Sequence, residues 1–303
     1  MAKSDKSLVK VDVNIGNEES ANRILDKITG ATGIIFGAYK EKQRAKSNFL
    51  AEINNRRDLS NIDKLAITSN YKKILKEYEN QNDIVNKALE LLNKPVNEYR
   101  IDSIDNTWIM NFMDYIKNIC DEELKIIWSK ILAGELEKPG KYSLRTLEEV
   151  KKISKKDAEL FSKLAGFIMK SESTYFILKD NEVLEEYGIS YEDIILLDEI
   201  GFIKDDAKII NYVSNQAKII YNDLFVFIVG KNEKLSLNIY KLTEVGEEVF
   251  SLLQNTNSNI NFLSRYAEKH KDLKISYSEI IKIDGQQITY NSNIKKLYNE
   301  DNN

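Results

Sequence analysis

The stretch from Asp121 to Gly166 constrains the fold most, because helix starts, stops and buried faces are all legible in it. Asp121 is a good N-cap, and Glu122 and Glu123 put negative charge on the first turn, where the helix dipole favours it. Leu124, Ile127, Trp128, Ile131 and Leu132 then recur at helical spacing and make one apolar stripe. Gly134 falls near the end of this helix, and Pro139-Gly140 turns the chain. Ser143 offers the next cap, for a helix lined by Leu144, Leu147, Val150 and Ile153. Ser154, with Asp157 at the capping-box position, starts a third helix that buries Ala158, Phe161, Leu164, Ala165 and Ile168. Helices this short are unstable alone, so their stripes must meet one another or another helix. Trp108, Trp128, Leu132, Leu147 and Phe161 are the expected core anchors.

On either side the texture differs. Residues 1–20 form a polar N-terminal segment in which Val9, Val11, Val13 and Ile15 alternate as a short strand would. The helical pattern over 21–94 predicts a long antiparallel arm of two or more helices. Within it, Ile28 to Tyr39 carries Gly30, Gly33 and Gly37, small residues that suit a close helix–helix contact or a break between helices or, as the sharper alternative, contact with a membrane surface or within an oligomer. From Lys40 to Lys76 the chain has ten cations against four anions. Lys42, Arg44, Lys46, Arg56 and Arg57 are the candidate nucleic-acid or lipid contacts if these charges form one stripe; otherwise the face is simply solvated. A central bundle is expected over 100–170, a small α+β winged-helix-like module over 174–253 and a C-terminal extension over 254–303. The expected fold class is therefore mainly α. In the module, Ile219–Gly230 and Leu235–Leu242 read as strands joined by a hairpin turn at 231–234, with Thr243 capping a helix. The extension reads as a helix near Ile260 to Lys269 and a hairpin about Asp284-Gly285. The helix Tyr191 to Ile200 carries four carboxylates and no cation, which argues against reading a DNA major groove with it.

The composition removes most catalytic chemistries. Cys120 and His270 are the single cysteine and the single histidine, so no internal disulfide forms and a zinc site of the usual ligands is nearly excluded. His270 lies in a polar run and reads as a surface residue. No phosphate-binding loop, dinucleotide fingerprint or nucleophile elbow occurs, so no catalytic residue, metal or cofactor is expected. Ser143, Arg145 and Thr146 at a helix start could hold an anion or touch a partner, although capping explains them more simply. The start of the chain is charged, no apolar run reaches bilayer length, and net charge is −4. A cytoplasmic location is the expectation.

The run from Trp128 to Phe167 resembles a bacterial family catalogued as domain of unknown function 2806. Trp128, Leu132-Ala133-Gly134-Glu135, Pro139-Gly140, Ser143, Arg145-Thr146-Leu147 and Ala158-Glu159-Leu160-Phe161 carry the resemblance, and Ile28 to Lys46 and Trp108 to Phe112 share it. It covers Ile24 to Gly201 and weakens beyond. The family brings no established activity and no catalytic residues. The phrasing from Leu147 through Ala158 is also loosely similar to bacterial abortive-infection proteins of the Abi-alpha kind, which implies phage defence. These readings lead to a non-enzymatic scaffold that binds a protein partner or itself. The alternatives are nucleic-acid binding through the basic arm and a membrane-acting effector working through residues 28–39.

Overall fold

The chain divides into two compact units, residues 1–151 and 152–303. The computed structural model describes residues 18–36, 39–92, 100–211, 215–253, 257–285 and 287–297, so the strand expected at Val9 to Ile15 lies outside the described residues.

Unit one is helical: α1 (Glu18–Thr32), α2 (Tyr39–Asn55), α3 (Asn61–Glu90), α4 (Asn106–Ile116), α5 (Glu122–Glu137) and α6 (Leu144–Lys152). Its core is aromatic. The Trp108 ring stacks on Phe112 at 5.1 Å, and Phe112 meets Trp128 edge-on at 5.6 Å. Leu132 and Leu147 are buried in the same unit. Asp121 caps α5, accepting from the backbone N–H groups of Glu123 and Leu124 at 2.9 and 3.1 Å. Asp105 caps α4, accepting from the backbone N–H groups of Thr107 and Trp108.

The turn between α5 and α6 is locked by a buried carboxylate. Glu135 is 2% exposed, and its two oxygens accept from the backbone N–H groups of Gly140 at 2.6 Å and Tyr142 at 3.1 Å. The Trp108 indole donates to the carbonyl of Tyr142 at 2.8 Å, tying α4 to the same turn. Gly134 is required because the Tyr142 ring sits where a side chain would start, with Cε2 2.8 Å from an added Cβ. Ser143 then caps α6, accepting from Thr146 N–H at 3.2 Å. The motif from Leu132 to Leu147 is thus one structural device.

Unit two opens with α7 (Lys155–Leu164), whose Ser154–Asp157 capping box forms as expected. Phe161 packs here, edge-on to Phe202 at 4.8 Å. There follow β1 (Met169–Ser171), β2 (Thr174–Leu178), α8 (Asn181–Glu186), α9 (Tyr191–Glu199), β3 (Ile203–Asn211), β4 (Gln216–Tyr221), β5 (Leu224–Gly230), β6 (Leu235–Leu242), α10 (Glu244–Phe250), α11 (Ile260–Lys269), β7 (Leu273–Asp284), β8 (Gln287–Tyr290) and β9 (Lys295–Lys296). Among the described residues, these nine strands join one antiparallel sheet in the order β3-β6-β2-β1-β4-β5-β7-β8, with β9 paired to β7.

This sheet overturns both the mainly α class and the small winged-helix-like module. The reason is local. The run Ile219 to Gly230 is two strands, because Asn222 takes φ +51° and turns the chain so that Tyr221 pairs with Leu224. β5 is nearly all apolar and needs a neighbour on each side; it takes β4 and then β7 from the supposed C-terminal extension. The residues at 231–234 therefore do not close a hairpin, since β6 pairs with β2 and β3 instead. The hairpin about Asp284-Gly285 does form, between β7 and β8.

His270 also differs from expectation. Its Nε2 lies 2.9 Å from Asp180 Oδ2, and its ring stacks on Tyr266 at 4.1 Å. Asp180 has a side chain only 8% exposed and also accepts from Lys269 at 2.8 Å and Val183 N–H at 3.1 Å. Burial pushes this carboxyl up, but the bonds from Lys269, Val183 and His270 outweigh it and hold the group below its ordinary range. The network fastens α11 to α8.

Both buried carboxylates can be probed by amide replacement. Glu135→Gln leaves a backbone N–H facing an amide NH2, and should cost about 2 kcal/mol. Both tryptophans lie in unit one, so a urea titration followed by tryptophan fluorescence reads this loss directly. For Asp180 the folded value is depressed, so its stabilisation is present above the unfolded value and fades as pH falls through the folded one. Asp180→Asn should lower stability by about 2 kcal/mol at neutral pH and flatten the acid-side loss, as measured by hydrogen exchange of α11 amides.

Candidate interaction site on the helical arm

Helices α2 and α3 fold back on each other through residues 56–60 and form an arm of unit one. Ser60 starts α3 with a capping box: Asp63 N–H donates to Ser60 Oγ at 3.1 Å, and Ser60 N–H to Asp63 at 3.3 Å. Phe49 and Tyr71 pack across the hairpin with ring centres 4.2 Å apart, and Ile53 of α2 is buried. Lys64 reaches over to donate to the carbonyl of Asn54 near the end of α2, at 3.0 Å.

The C-terminal half of α3 is bound into the bundle. Gln81 donates to the carbonyl of Met113 and Asn80 to that of Lys117, each at 2.8 Å, satisfying acceptors that end α4. Ser129 of α5 donates to the carbonyl of Ile84 at 3.1 Å. Lys125, buried on α5, bridges Asp83 at 2.7 Å and Glu122 at 2.8 Å, and Lys87 completes the square. Burial works against the charge on Asp83, yet bonds from Lys125 and Lys87 leave its carboxyl below the ordinary range.

The N-terminal half of α3 has α2 on one side and exposed residues on the other. Ile62 is 78% and Leu65 68% exposed, and both lie away from the Tyr71 face. Ala66, Lys72, Lys73 and Lys76 are exposed at positions that continue the same helical face. Ile62 and Leu65 thus stand about one turn apart in water near the tip of the arm.

Among the described residues, Lys72, Lys73 and Lys76 share the outward face of α3, and the other cations of the arm are placed elsewhere or paired. Arg56 closes on Asp58 through two hydrogen bonds, one of 2.6 Å, which draw that carboxyl down to about 2. Lys64 is turned to α2, Arg57 is exposed at the arm's tip, and the side chains of Lys42, Arg44 and Lys46 lie outside the described residues. Gly30 and Gly33 are exposed with no atom within 4 Å of an added Cβ, so they make no close helix–helix contact among the described residues. Gly33, at φ +74°, follows the end of α1 and so sits at the break between helices that the sequence allows, and Gly37 lies outside the described residues. Ile35 nearby is exposed, while Phe36 is buried and its ring lies 6.1 Å from that of Tyr78. Ser143 and Thr146 are joined to each other with hydroxyls 3.1 Å apart, Thr146 is buried, and Arg145 is exposed. That is a cap, and Arg145 alone of the three remains for a partner. Ile62 and Leu65 could have been found in the sequence as a departure from the arm's buried pattern, because they fall opposite Ile67 and Tyr71 on a helical projection.

Among the described residues, no group of three His, Cys, Asp or Glu side chains is arranged to hold a metal ion, and no helix is long and apolar enough to cross a membrane.

No curated protein and no solved structure matches the chain. One family model, described as a protein of unknown function (DUF2806), matches residues 68–266. The match starts within α3 and runs to α11, reaching well past the Gly201 limit of the sequence resemblance. It spans about two thirds of the chain, which belongs to this family of unknown function, DUF2806.

Proposed function

We propose that this chain is a non-enzymatic contact protein whose arm, α2 and α3, docks a protein partner. The observation that carries the reading is the exposure of Ile62 and Leu65 on an arm only two helices thick. Covering such a side chain stabilises a complex by about 1.5–3 kcal/mol relative to leaving it in water. The polar clusters support the same reading because each is occupied in holding the fold. Glu135 secures a turn, Asp180 secures α11, and Lys125 joins α5 to α3. The nucleic-acid alternative has less support among the described residues, because Arg56 is paired with Asp58, Lys64 is turned to α2, and the lysines of the outward face share it with Ile62 and Leu65. A cytoplasmic site of action accords with this reading. The finer suggestion of a phage-defence role rests on the abortive-infection resemblance and is addressed by plaque counts on cells with and without the gene.

The test is a photoactivatable side chain placed at Leu65 in the full chain and irradiated in native cells. A discrete protein adduct, lost when Ile62→Asp is added, is the expected result. Adducts with nucleic acid or lipid alone would overturn the reading, and reproducible turnover of a metabolite by the purified protein would overturn its non-enzymatic part.

A further inference from the structure

We propose that the outward face of α3 binds an amphipathic, acidic helical segment of another protein, with apolar and carboxylate residues placed one after the other along its length. This rests on the reading of the arm as a protein-docking element and adds the chemistry of the occupant.

The face is built from Ile62, Leu65, Ala66, Lys72, Lys73 and Lys76, all exposed. Its positions recur at helical spacing from the first, so they form one line down the helix. The apolar residues occupy the tip end, and the lysines occupy the end nearer the bundle. From Ile62 to Lys73 the distance along the axis is about 16 Å. Among the described residues Lys72 and Lys76 make no ion pair, and Lys73 has only Glu77, at 3.9 Å on the border of the face. The cations are therefore available, unlike Arg56 or Lys64.

This lengthwise separation selects among partners. A flat anionic membrane favours a helix with an apolar side and cations flanking it along the whole length. Here the two chemistries share one side, so sinking Ile62 and Leu65 would carry the lysines down with them or tilt the arm. A nucleic acid would meet the lysines but gain nothing from the isoleucine and leucine. A second copy using the same face would set lysine against lysine in parallel, or lysine against isoleucine in antiparallel. A helix with apolar residues over one half and carboxylates over the other matches both halves. Running antiparallel to α3, it would carry its carboxylates in its own first turns, where its dipole favours them.

The experiment uses the full chain and four-turn synthetic helical peptides, with binding read by fluorescence anisotropy. One peptide carries leucines over one half of a face and glutamates over the other. A second has the same composition with leucines and glutamates interspersed, and a third has lysines in place of the glutamates. The segregated peptide should bind about tenfold more tightly than the interspersed one, since two or three charge pairs of modest strength are lost in the latter. The triple variant Lys72→Glu, Lys73→Glu, Lys76→Glu should reverse the preference in favour of the lysine peptide. Ile62→Asp with Leu65→Asp should weaken every peptide. All these positions are exposed, and unchanged circular dichroism confirms that the variants fold.

Equal binding of the segregated and interspersed peptides, or no binding, would overturn the proposal. So would tighter binding to vesicles containing phosphatidylserine or to duplex DNA, or sedimentation of the chain as a dimer that Ile62→Asp dissolves. Failure here with a protein adduct still forming at Leu65 would remove the acidic chemistry alone; failure of both would remove the docking reading as well.

Discussion

Asn80 and Gln81 mark the point where one helix passes from arm to bundle. Before them α3 packs against α2 and, at Tyr78, meets Phe36; after them Ile84, Val85, Ala88 and Leu89 are buried in the bundle. Their amides reach the carbonyls that α4 leaves open at its end, so the helix is fixed in both position and rotation. The Lys125 square sets the same rotation from the α5 side. A helix fixed in this way by its second half holds its first half out in a defined direction relative to the bundle. The outward face of α3 is therefore oriented by polar groups that lie some turns away from it.

A second anchoring uses a carboxylate where most cores use methyl groups. Glu135 is removed from water and satisfied by two backbone donors, which makes the α5–α6 turn dependent on one side chain. Gly134 and Trp108 complete the arrangement, one by leaving room and one by donating a hydrogen bond. Removing a residue from such a set costs more than its own bond, because the remaining groups stay buried without partners.

The helical elements around Trp128 were legible because caps, charges and apolar spacing agree there. Asp121, Ser143 and Ser154 cap as read, and Trp108, Trp128, Leu132, Leu147 and Phe161 are buried. The sheet was less legible. In the run Ile219 to Gly230, a two-residue Asn-Asp turn sits between apolar runs long enough to pass for one strand. Once that turn is missed, β5 gains a false partner in β6, and the true partner β7 is left as an extension. Strand partners far apart in sequence carry no local signal, whereas a helix announces its own period. The pairing of His270 with Asp180 was hidden for the same reason, since 90 residues separate them. Ile62 and Leu65 differ again: their spacing sets them opposite Ile67 and Tyr71, a local signal masked by the other apolar residues of the arm, and the structure leaves them exposed.

The order of strands bears on synthesis. β5, Leu224 to Gly230, leaves the ribosome more than forty residues before β7, its outer neighbour, begins at Leu273. During that interval the most apolar strand of the sheet has one open edge. A nascent chain paused there would offer its main chain to any other strand within reach, and shielding by a chaperone would matter most at that moment.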